Sequence, residues 1–281
     1  MGGAFNLTME NPCLKWECQA SSYLSDVMDK VVFITHAGDM FDIIAMRFSR
    51  LLPLALGWLC LAIHPSLSAQ TPTLEKSVKP GINDNFLQAD LQVGEWVERF
   101  EREGREVYDS RLAVLEAIGI KPGEAIADVG AGTGLYTGLF ADAVGSEGKV
   151  YAVDIVPIFL SRILDRAKET GRNNIVTVLG DGKTSALPEG SVDKVFICDT
   201  YHHFEYPQTM LASLHQALRP GGEIILIDFK RIEGTSSEWI LSHVRGGQEV
   251  FSQEIKQAGF QELGSHALLK DNYMLRFGKK P

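Results

Sequence analysis

A ten-residue segment, Ala125-Ile126-Ala127-Asp128-Val129-Gly130-Ala131-Gly132-Thr133-Gly134, restricts this chain to few folds. A short apolar run bounded by glycine reads as a buried strand, 125–129. The alternating glycines can adopt positive φ and let a ligand approach bare backbone. Apolar residues resume at once and read as a helix over 135–144. The same alternation continues, with strands at 149–154, 175–179, 192–198 and 223–229. Helices fall at 158–170 and 207–218, the second closed by Arg219-Pro220-Gly221-Gly222. Strand and helix in alternation imply a parallel sheet covered on both faces. Upstream, 95–118 carries Trp96, Val97, Phe100, Val107, Leu112, Leu115 and Ile118 at broadly helical spacing and stops at Gly119. At the other end, 260–269 and 272–277 are two strands with a short link, a hairpin. The expected fold is α/β: a Rossmann-like, doubly wound, mostly parallel seven-stranded sheet ending in an antiparallel hairpin.

Charge excludes one class of partner. The chain has 27 basic and 36 acidic residues, net −9. Phosphate backbones reward Lys and Arg, so nucleic acid is not expected and a small cationic molecule is better suited. Four cysteines are too few for a disulfide framework. Cys13 and Cys18 lack the second pair that a zinc site would need.

The first seventy residues read separately. Residues 1–45 show no sustained period. Met46-Arg47-Phe48-Ser49-Arg50 is short and basic, residues 51–63 are apolar, and His64-Pro65-Ser66-Leu67-Ser68-Ala69-Gln70 is a small-residue exit. These are the three parts of a secretory signal. We therefore expect residues 1–45 to be a mis-assigned extension with translation starting at Met46. Residues 46–69 read as a signal or targeting segment, 70–94 as a linker and approach segment, and 95–281 as the working domain. The apolar run is too short for a stable membrane span. A cleaved signal implies an exported or cell-envelope protein; without it the chain stays in the cytoplasm.

The glycine loop also carries chemical information. The dinucleotide pattern GxGxxG would need glycine at 135, where this chain has Leu135. Asp128, two residues before the first glycine, would repel a pyrophosphate. An acidic turn suits a ligand bearing an ammonium group and a sulfonium. Here the sequence resembles the class I S-adenosylmethionine-dependent methyltransferases, broadly those of ubiquinone and menaquinone biosynthesis, over about 95–280. Asp128-Val129-Gly130-Ala131-Gly132-Thr133-Gly134 is similar to the family's first motif. The resemblance implies that this loop wraps the methionine part of S-adenosylmethionine. It further implies that Asp154, with Ile155 beside it, holds the ribose hydroxyls. Gly180-Asp181-Gly182 would place Asp181 and Gly182 beside the adenine, and Asp199 would lie near the methionyl part. A carboxylate suits a diol because it accepts two hydrogen bonds.

Residues just past the fourth strand are the candidates for the acceptor side. His202 or His203 could act as base, since histidine titrates near neutrality. Tyr201 and Phe204 could line the methyl channel. The prolines of the family's amino-group motif are absent from Asp199-Thr200-Tyr201-His202, and beyond residue 70 the only cysteine is Cys198. Nucleic-acid amino groups and arsenite are therefore disfavoured as acceptors. No metal is expected: Asp199 and Asp228 match two magnesium ligands of catechol-type relatives, but Phe229 stands where a third would follow. His202, His203 and His243 are the alternative set of ligands, for a transition metal. Arg105 and Tyr108 upstream, and Trp239 and His243 four residues apart downstream, are candidates to cover the pocket. The expected activity is methyl transfer to a small molecule. The alternative is a non-catalytic exported nucleoside- or cofactor-binding protein on the same fold.

Overall fold

The computed structural model describes residues 74–280. The expected extension over 1–45 and the signal over 46–69 lie outside the described residues. Seven strands form one sheet: β1 (Ala125–Val129), β2 (Lys149–Asp154), β3 (Ile175–Leu179), β4 (Val192–Cys198), β5 (Leu218–Phe229), β6 (Phe260–His266) and β7 (Asn272–Lys279). Their spatial order is β3-β2-β1-β4-β5-β7-β6. The pairs among β1–β5 are parallel, while β7 runs antiparallel to both β5 and β6. The hairpin therefore places its second strand inside and leaves β6 at the edge. Leu218 already pairs with Val192, so β5 begins earlier than expected, with a register shift at the Pro-Gly-Gly turn before Glu223 meets Lys194.

Period-two alternation in the central strands sorts side chains into two core layers. Val195 and Ile197 join Leu211, Leu214 and Phe251 on one face. Phe196 joins Ile126, Phe140 and Ile225 on the other. Each fully buried side chain of this size contributes about 1.5–3 kcal/mol. Strand order reverses between β1 and β4, so their carboxyl ends flank a crevice, the usual ligand position in such sheets.

Helices named in chain order are α1 (Val93–Phe100), α2 (Glu106–Asp109), α3 (Arg111–Ile118), α4 (Thr137–Val144), α5 (Pro157–Glu169), α6 (Pro207–Ala217), α7 (Glu238–His243) and α8 (Gln248–Gln257). The single helical block expected over 95–118 is thus three helices. Gly104 breaks it at φ +85°, and Arg105 turns inward. Its guanidinium donates to the carbonyl of Phe100 (2.8 Å), close to the end of α1, and to Asp199. Leu112, one of the apolar residues at helical spacing, is exposed. Helix α8 falls where no element was expected.

Residues 74–92, read as linker and approach, are packed onto the domain. The Glu75 carboxylate accepts from the backbone N–H of Gln208 and Thr209 at the start of α6 (2.9 and 2.7 Å). Ile82 is buried, and Asn83 donates to the carbonyl of His203 (3.1 Å). Among the described residues, no helix is long and apolar enough to cross a membrane.

Candidate active site

A cavity of about 870 Å³ opens at the strand-order reversal. One wall is the glycine loop. Gly130 and Ala131 both donate their backbone N–H to the carbonyl of Val153 (2.8 and 3.0 Å), which ties the loop to the end of β2. Gly130 has φ +72°, and a Cβ there would stand 2.2 Å from Thr200 Cγ2. Only glycine fits this approach of loop to β4. Gly132 also lines the cavity, facing the Phe100 ring.

Asp154 ends β2 in the cavity wall, with Ile155 beside it. Its Oδ2 accepts from Gly132 N (2.8 Å) and its Oδ1 from Val156 N (2.9 Å). Burial pushes its pKa up to about 6 against the pull of these N–H groups. Asp199 follows β4 in a left-handed conformation, φ +50°. Arg105 donates to its Oδ2 (2.8 Å) and Asn272 to its Oδ1 (2.6 Å). Burial still raises its pKa, although Arg105 opposes the shift.

Five expected site residues lie outside the cavity wall. Asp128 sits beneath the loop, accepting from Thr137 Oγ1 (2.6 Å). Burial lifts its pKa to about 7, and the bond from Thr137 ties it to the start of α4. Ala131 is buried and serves through its N–H. Gly134 admits α5: a Cβ would meet Ile163 at 2.8 Å. Asp181 folds its carboxylate back onto the N–H groups of Lys183 and Thr184 (2.9 and 2.8 Å), while Gly180 and Gly182 line the wall. Tyr201 turns into the core against Phe204 and Phe251, donating to Glu254 (3.0 Å). The 3-10 turn Tyr201–His203 points successive side chains in different directions, so Tyr201 goes inward and the two histidines face the cavity. Phe204 lines the cavity as expected.

The opposite wall is histidine-rich. His202 is buried, and its Nδ1 lies 2.8 Å from Oδ1 of the fully buried Asp228 on β5. A carboxylate accepts, so Nδ1 carries the proton and Nε2 is the free nitrogen of that ring. The second Asp228 oxygen accepts the His202 backbone N–H (3.1 Å). His203 and His243 meet through their Nε2 atoms at 3.4 Å. Burial, then neighbouring histidines, lower the pKa of His203 to about 2 and of His243 to about 4. Trp239 stacks on His243 at 4.7 Å, which bears out their shared helix face.

Sequence reasoning missed Phe86, Trp96, Phe100 and Asn272 as wall residues. Trp96 and Phe100 are four apart on α1, a signal that reads equally as core. Phe86 and Asn272 carry no local signal.

Residues 127–226 match the model of a methyltransferase domain. Over these residues the chain is similar to methyltransferase domains. A protein-L-isoaspartate O-methyltransferase of Ignicoccus hospitalis is 29% identical to it over 113 residues, 40% of this chain and 51% of that one. A ubiquinone/menaquinone biosynthesis C-methyltransferase of Teredinibacter turnerae is 27% identical over 125 residues, 44% and 50%. The chain thus spans about half the length of these curated relatives, and their names do not agree on an acceptor. A solved SAM-dependent methyltransferase of Aquifex aeolicus shares the fold with TM-score 0.60 and 23% identity, covering 67% of this chain and 98% of that one. The match spans the glycine loop, Asp154, His202 and His203, and gives no residue a role.

Proposed function

We propose that the chain moves the S-methyl group of S-adenosylmethionine to a small-molecule acceptor held against His202, His203 and His243. One observation carries this reading: a single cavity joins the glycine-loop wall to the histidine wall. Its volume lies toward the top of the range for small-molecule sites, roughly 300–1,000 Å³, enough for a cofactor and a modest acceptor.

The chain's residues fit such a cofactor. Gly130 and Gly132 present backbone without side chains. Each Asp154 oxygen spends one lone pair on an N–H, leaving another for a ribose hydroxyl. When bound, the cofactor supplies a methyl carbon activated by its sulfonium. What remains for the protein is to orient the acceptor and exclude water. Phe86, Trp96 and Phe100 cover the cavity for the second task, and the histidine wall holds the acceptor atom. The net charge of −9 supports a small acceptor over nucleic acid.

Calorimetry with S-adenosylmethionine and S-adenosylhomocysteine, then mass spectrometry of metabolites incubated with methyl-labelled cofactor, tests the reading. Binding of neither would refute it; binding without transfer to any metabolite would favour a non-catalytic binding protein. The basic, apolar and small-residue run at 46–70 supports export. N-terminal sequencing of the natural protein checks that, and a mature chain retaining residues 1–60 would overturn it.

A further inference from the structure

We propose that His202, His203 and His243 form a zinc-type metal site whose fourth position opens into the cavity. The ligand nitrogens of the three side chains lie within 4.8 Å of one another. They come from two separate elements, the turn after β4 and the last turn of α7.

The spacing fits a tetrahedral ion. Zinc binds imidazole nitrogen at roughly 2.0–2.1 Å, and two such bonds at a tetrahedral angle put the nitrogens about 3.3 Å apart. His203 Nε2 and His243 Nε2 are 3.4 Å apart. Two neutral imidazoles meeting at that distance form at best a long hydrogen bond, whereas a shared ion satisfies both. The wider pairs need to close by no more than about 1.5 Å to reach the same spacing.

The surroundings are those of a built site. Asp228 holds His202 Nδ1 and so presents Nε2 as ligand, the carboxylate–histidine arrangement that orients metal ligands. Phe86 packs edge-on against the His203 ring at 5.2 Å, and Trp239 stacks on His243. Lys79 fixes the end of α7 by donating to the carbonyls of Ser242 and His243. His203 turns Nε2 to His243, and its other ring nitrogen, Nδ1, is buried with no hydrogen-bond partner.

Three histidines with a free fourth position is the ligand count of a catalytic zinc, not of a closed structural one. The consequence for the acceptor rests on the transferase reading. An acceptor thiol or hydroxyl coordinated there would release its proton to solvent, because a bound cation favours the deprotonated form. The deprotonated atom forms the new bond to the methyl carbon as the sulfonium's bond to that carbon breaks. A free histidine base is then not required.

The test titrates the metal-stripped full chain with Co(II) and follows visible absorption, with Zn(II) content measured by elemental mass spectrometry. We expect one equivalent per chain and the intense visible bands of four-coordinate cobalt. His243→Ala should weaken binding by at least about tenfold. His243→Cys should keep binding and add a sulfur-to-cobalt charge-transfer band, which no merely structural role produces. His243 is half-buried on a short helix, and calorimetry with S-adenosylmethionine on the same samples reports that the fold is intact. Wild-type binding no tighter than that of His243→Ala, or no new band in His243→Cys, overturns the site whether or not the cofactor binds. Loss of cofactor binding with cobalt still bound would refute the transferase reading alone.

Discussion

Replacing Gly130 by alanine perturbs the site at its tightest point. Two separable costs follow from the geometry. The first is conformational: φ is +72°, where an L-residue costs roughly 1–2 kcal/mol. The second is steric. The new Cβ would stand 2.2 Å from Thr200 Cγ2, 2.5 Å from Oγ1 and 2.8 Å from Cβ. Thr200 has little room to yield, because its hydroxyl donates to the carbonyl of Cys198 (2.9 Å). Overpacking of this kind costs about 1–3 kcal/mol. The sum, about 2–5 kcal/mol, should lower Tm by roughly 4–20 °C for a domain of this size. Thr200→Ala removes two of the three close atoms, so the double variant should recover most of the steric part and none of the conformational part. Denaturant unfolding of the four proteins gives the coupling directly, expected at about 1–3 kcal/mol. Gly130→Ala should also weaken binding of S-adenosylmethionine in calorimetry, since the shifted loop carries the cavity wall. A coupling near zero, with Gly130→Ala as stable as wild type, would refute the close-approach account of the loop.

Arg105→Ala leaves the buried Asp199 with Asn272 alone; breaking such a pair should cost roughly 3 kcal/mol by thermal unfolding. Arg105→Lys should recover only part of this, since one ammonium cannot reach both the Phe100 carbonyl and Asp199 with a guanidinium's fork. Asp154, raised to about 6, must be ionised to serve a ribose diol best, so cofactor affinity should rise about tenfold from pH 5 to 7 and then level off; a flat profile would contradict its role, and Asp154→Asn should be flat. The sign for ligand-free stability is opposite: the folded state holds this proton above the unfolded pKa of about 4, so stability falls as pH rises from about 4 to 6, as a pH series of melts would show. Tyr201→Phe should lose about 1 kcal/mol with its bond to Glu254 and leave kcat unchanged; a tenfold loss of kcat would return Tyr201 to the site.

Legibility followed the range of the forces involved. β1 to β4 were placed to the residue because each is a short, largely apolar run that ends at glycine or aspartate, a local signal. The start of β5 was missed because its pairing with Val192 lies across a Pro-Gly-Gly turn that reads as a loop. The helix α8 had a signal, Phe251 and Ile255 four apart and Gly259 as stop, that was not used. The site contacts that the sequence did not foretell share one cause. Motif spacing places a carboxylate near a ligand but says nothing of the partner that claims it first. Thr137 claims Asp128, the 183–184 backbone claims Asp181, and both oxygens of Asp199 have partners from distant parts of the chain. Asp154 differs because its partners are N–H groups of the glycine loop and of Val156, which hold it at the cavity instead of away from it. Asp154 is held at the cavity wall, Asp199 is paired with Arg105, and Asp128 and Asp181 bond within their own loops. The acceptor end reverses the lesson. His202 and His203 read from sequence as alternative bases and, with His243, as a metal site, and the fold brings the three together with Asp228 behind His202. A role for the group as a whole then explains why three imidazoles share one wall, which a single base does not.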